Sequence, residues 1–139
     1  KFASSHGDID FVKLLLKCPN VDPSANNNYA ILMASSNGHL EVVKLLFSHP
    51  NVDPSDRDNE AIRWASQRGH LEIVKLLLKC PKVDPSAMDN AAIRWASVFG
   101  YLEVVKLLLG CPKVNPTANN NYAIHMARNS EDTNIVKLL

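Results

Sequence analysis

The stretch Gly69 to Leu77, GHLEIVKLL, decides how the chain folds. Its helical face is apolar at Leu71, Ile73, Val74, Leu76 and Leu77, and Leu78 extends it. That stripe is too wide for a helix with one side in water, so neighbours must cover it from two sides. Pro81 cannot continue the helix and marks its end. Upstream, EAIRWASQR places Ile62, Ala65 and Ser66 on one helical face. Gly69 accepts a left-handed backbone and closes that first helix. The short polar pair Asp58-Asn59 reads as its N-terminal cap. Downstream lies the loop KVDPSAMDN, where Asp84 can accept from backbone amides ahead of it and Pro85 stiffens the turn.

The same letters return every 31 residues. Gly7, Gly38, Gly69 and Gly100 keep that step. So do Ala3, Ala34, Ala65, Ala96 and Ala127, and Lys13, Lys44, Lys75, Lys106 and Lys137. Pro23, Pro54, Pro85 and Pro116 mark the loops. One unit is written five times, the first and last incompletely, giving about four and a half repeats. Residues 1–139 therefore read as a single domain with no linker. A lone helix pair cannot bury this much apolar surface, whereas side-by-side stacking of identical pairs can. In the last copy, Glu131 replaces the turn glycine.

Composition narrows the function. Lys and Arg total 15 against 14 Asp and Glu, a net charge of +1 that makes no case for nucleic acid or an anionic membrane. No apolar run approaches the roughly 18 residues of a membrane span. There is no phosphate-binding glycine loop and no H-E-x-x-H. His6, His39, His49, His70 and His125 are scattered, and no C-x-x-C occurs. No catalysis, cofactor or metal is expected. Cys18, Cys80 and Cys111 share one repeat position. Packed helices lie about 8–10 Å apart, beyond the roughly 7 Å a disulfide allows, so unpaired thiols and a reducing compartment are expected.

GHLEVVKLL at Gly38 to Leu46 and GHLEIVKLL at Gly69 to Leu77 resemble the second helix of ankyrin repeats. The resemblance implies an all-α, ankyrin-type solenoid of stacked antiparallel helix pairs. Two departures matter. The family's T-P-L-H opening is replaced by YAIL, EAIR, AAIR and YAIH, and the unit is shorter than the usual length of about 33 residues. Short loops are therefore expected in place of full β-hairpins. By resemblance the chain is a cytoplasmic module that binds a protein partner through its concave face and loop edge. Both ends fall inside a repeat, which is the expectation for a segment of a longer array. Two alternatives stand beside this reading. One is a spacer stacking end to end, with self-association of the segment. The other is a targeting domain fused to an enzyme or a ubiquitin-ligase adaptor.

The columns where copies differ carry the candidate partner-binding residues. Gln67-Arg68 becomes Val98-Phe99 in the fourth copy, which also carries Met88 and Tyr101. Beside these lie Arg57, Arg63, Arg68 and Arg94. Apolar groups on a soluble surface mark interfaces, and aromatic with Arg groups make hot spots. The column Phe2, Met33, Trp64, Trp95 and Met126 stays large and apolar and reads as packing.

Overall fold

A computed structural model describes residues 7–129 and 132–139. Readings at Lys1, Phe2, Ala3, Ser5, His6, Ser130 and Glu131 lie outside the described residues. The second helices of the five copies are α1 (Ile9–Leu16), α3 (Leu40–Phe47), α5 (Leu71–Leu77), α7 (Leu102–Leu109) and α9 (Thr133–Leu138). The first helices are α2 (Ala25–Ser36), α4 (Asp56–Gln67), α6 (Ala87–Val98) and α8 (Ala118–Asn129). Among the described residues there is no strand, and short loops join the copies.

The repeat pattern translates directly into core columns. Ile31, Ile62 and Ile93 are buried, as are Val43, Val74 and Val105, and Leu46, Leu77 and Leu108. Each such side chain contributes about 1.5–3 kcal/mol when fully removed from water. Ala34, Ala65, Ala96 and Ala127 are wholly buried between first helices, where a larger group would hold the backbones apart. The first helices pack together far more closely than the second helices do. The stack therefore curves with its first helices on the inner, concave side. On the outer side, Glu41–Lys44, Glu72–Lys75 and Glu103–Lys106 pair at 2.7, 2.8 and 2.8 Å. These exposed pairs are worth about 0.2–0.5 kcal/mol each.

The start of each first helix departs from the expected cap. Asp58 and Asn59 do not cap; with Arg57 they form a left-handed turn, at φ 53°, 54° and 60°. The same turn recurs at Asn26 to Asn28, Met88 to Asn90 and Asn119 to Asn121. Each is closed by a backbone bond, such as Asn59 N–H to Ser55 O at 3.0 Å. Left-handed backbone costs most residues about 1–2 kcal/mol, and Asn and Asp adopt it more readily. Apart from Arg57 and Met88, every residue of the four turns is Asn or Asp. The turn aims its third side chain across the stack. Asn28, Asn59 and Asn90 each accept, through Oδ1, the backbone N–H of Asp53, Asp84 and Asn115 in the next copy, all at 2.7 Å. That acceptor chain continues locally. Asp84 takes the Ser86 hydroxyl at 2.6 Å and the Ser86 amide at 2.9 Å, the amide bond expected for this loop. The Ser86 hydroxyl and then its amide hold the Asp84 carboxyl below the usual carboxylate range.

Candidate functional site

The inner face is built by the first helices, whose outward positions carry the variable columns. A trough crosses it between the second and third copies, with a volume of about 290 Å³. Tyr29, Met33 and Ser36 form one wall and Arg57, Glu60, Trp64 and Arg68 the other. Trp64 also lines the next depression, about 220 Å³, with Arg63, Gln67 and Trp95. The tryptophans thus pack against their own helices and still line the open face; Trp64 Nε1 donates to Glu60 Oε1 at 2.9 Å.

Each arginine of the face is held by neutral groups. Arg63 donates from Nε to Asp58 O at 3.0 Å and from Nη2 to Arg57 O at 3.3 Å. Arg94 repeats this on Asp89 O at 2.8 Å and Met88 O at 3.0 Å. Both therefore tie down carbonyls of the left-handed turns. Arg57 donates to Asn26 O at 2.9 Å and lies 5.6 Å from the centre of the Tyr29 ring. Arg94 lies 5.4 Å from the Tyr122 ring centre. Arg68 reaches Ser36 O and Asn37 Oδ1, both at 3.3 Å, while covering its own Trp64 at 5.7 Å.

The slot in which Gln67-Arg68 becomes Val98-Phe99 now has a local meaning. Phe99 stacks on Trp95 with ring centres 6.2 Å apart and planes 22° apart. Arg68 does the same service for Trp64 by a cation–π contact. Both lie one helical turn beyond their tryptophan, where side chains meet. Phe99 nevertheless remains 51% exposed, and Val98 is half-buried.

The fourth copy's apolar residues do not form one patch. Trp95, Phe99 and Tyr101 form a run, with the Phe99 and Tyr101 rings 6.5 Å apart. Met88, 56% exposed, sits at the opposite end of α6, on the loop edge. The Tyr101 ring covers Gly69 of the preceding copy, as His70 covers Gly38 and His39 covers Gly7. Tyr101 is therefore a joint between copies as much as a surface group. Tyr29, Tyr122, Glu60 and the two tryptophans belong to the face and were not among the sequence candidates. The signal for Tyr29 and Tyr122 was present: both open a first helix in a column that varies freely.

Catalytic chemistry finds no cluster here. Among the described residues no group of three or more His, Cys, Asp and Glu is placed to hold a metal ion. The cysteines are free; burial pushes the Cys111 thiol up, away from the reactive thiolate. No described helix is long and apolar enough to cross a membrane.

The comparison with protein families agrees with this geometry. A family model of ankyrin repeats matches three copies over residues 1–89, more than half of the chain. The chain belongs to the ankyrin-repeat family. Its later copies, α6 to α9, continue the same ankyrin-repeat stack beyond the matched residues. Ankyrin repeats are in general non-catalytic modules for protein–protein interaction. No curated protein matches the chain.

Proposed function

We propose that this ankyrin-repeat chain binds a protein partner along its inner face and loop edge and catalyses nothing. The observation that carries the reading is the exposed aromatic run of Trp95 and Phe99, bordered by Arg63 and Arg94 on rigid helices. Anchors of this type dominate binding energy. Free cysteines at every occupied position support a reducing compartment, as in the cytoplasm.

Replacing Val98 and Phe99 by the Ser-Asn of the second copy tests this. The pair tolerates Ser36-Asn37 at the same position, so the fold is expected to survive. Loss of the stack on Trp95 costs about 1 kcal/mol, whereas loss of a buried aromatic anchor costs about 2 kcal/mol or more of binding. A pull-down of the natural partner beside a melting curve reads both. Unchanged binding moves the interface off the fourth copy.

Met88 supplies an independent check. It occupies a left-handed position, φ 55°, that three asparagine-rich turns fill with Asn or Arg. Met88→Asn is expected to stabilise the chain by about 1 kcal/mol by relieving backbone strain. If Met88 touches the partner, affinity falls while the melting temperature rises. A fall in both would mean that the methionine side chain packs against its own fold.

A further inference from the structure

The charges of this chain are sorted by side-chain type. All five arginines, Arg57, Arg63, Arg68, Arg94 and Arg128, lie on first helices or at the loop edge beside them. Among the described residues every lysine lies on a second helix or in an outer loop. The five ion pairs of the described residues all use lysine: Lys13, Lys44, Lys75, Lys82 and Lys106. The arginines bond backbone carbonyls and the Asn37 side-chain oxygen instead. The outer side thus neutralises itself. The inner side holds fixed guanidinium charges with no carboxylate against them, so the near-zero net charge of the whole chain hides a positive face.

From this charge asymmetry we infer that the inner face takes an extended acidic segment of a protein, with carboxylates at every third residue and an apolar side chain seated on Trp95 and Phe99. The inference rests on the inner-face reading above and names the partner's chemistry. Arg63 and Arg94 spend Nε and Nη2 on the turn carbonyls, which fixes each fork in place. Their Nη1 hydrogens remain for an acceptor outside the chain. A fixed fork loses little entropy on gripping a carboxylate. Arg63 and Arg94 occupy the same position in neighbouring copies. Stacked helices repeat at about 8–10 Å. An extended chain rises about 3.3 Å per residue, so the third residue reaches the next arginine. Nucleic acid is the rival occupant, since arginine and aromatic groups also hold single strands. Asp56, Asp58 and Asp89 at the loop edge oppose a continuous phosphate backbone and spare a peptide whose charges are spaced.

The experiment is fluorescence anisotropy of the folded chain with three labelled probes. One peptide has Glu at every third position and one central Leu. A second has the same composition with the Glu residues contiguous. The third probe is a single-stranded oligonucleotide of similar length. The spaced peptide is expected to bind at least tenfold more tightly than the contiguous one, and to weaken as salt rises. Arg63→Gln with Arg94→Gln is expected to weaken it at least tenfold, and Lys75→Gln to leave it unchanged. Because the Gln variants also free turn carbonyls, Arg63→Lys with Arg94→Lys is measured beside them: it keeps the charge, loses the fork, and is expected to fall between. Equal binding of the two peptides, tighter binding of the oligonucleotide, or binding of neither peptide overturns the proposal. The inner-face reading stands or falls separately, on whether Val98→Ser with Phe99→Asn releases the natural partner.

Discussion

Gly69→Ala is expected to lower stability by about 3 kcal/mol, close to 10 °C in melting temperature for a domain of this size. Two costs add. Gly69 has φ +73°, where an alanine pays about 1–2 kcal/mol. A β-carbon there would also run into the Tyr101 ring of the next copy. Forcing a packed ring aside costs about 1–3 kcal/mol. Gly100→Ala is the control, with nearly the same backbone angle, +77°. There the nearest atom to a β-carbon is Asp132 Oδ2 at 3.4 Å, an ordinary contact. It should lose only the backbone part. Thermal melts of the two variants separate the terms, and equal losses would show that Tyr101 moves aside freely. The result bears on function because Tyr101 also touches Phe99. A displaced joint would shift the aromatic run on the binding face.

Asn90→Ala is expected to cost about 2–4 kcal/mol. The Asn90 side chain is buried and accepts the Asn115 amide of the next copy. Removing it leaves a backbone donor unpaired, worth about 1–3 kcal/mol, and puts alanine at φ 59°, worth about 1–2 kcal/mol more. Asn121→Ala changes the same turn, at φ 61°, where the side chain is exposed and holds no amide among the described residues. Chemical denaturation should show the larger loss at Asn90. Similar losses at both would mean that the turn, and not the bond between copies, is the source of the stability.

Much of the architecture is local and periodic, and so stands in the residues themselves. Gly69, Pro81 and the stripe of Leu71 to Leu78 fix a helix pair and its stops. Repetition of that pair dictates stacking, because no single unit buries its own stripe. The bond from Asp84 to Ser86 was legible for the same reason: it spans two residues. The variable slot at Gln67-Arg68 and Val98-Phe99 was legible as a surface position, since the letters around it hold.

What the tertiary structure decided lies between copies. Asn59 suits a helix cap and a left-handed turn equally well by local preference, and only its partner 25 residues on, the Asp84 amide, selects the turn. Arg63 and Arg94 read in sequence as free surface charges. In the fold they brace the turn carbonyls and keep one edge of each fork outward. Tyr101 read as a surface aromatic, yet the curvature of the stack lays its ring on Gly69. Periodicity specifies which face of a helix is buried; it carries no information about which atom of the next copy arrives there. That depends on the closeness of the first helices, set by Ala34, Ala65, Ala96 and Ala127 packing without a gap.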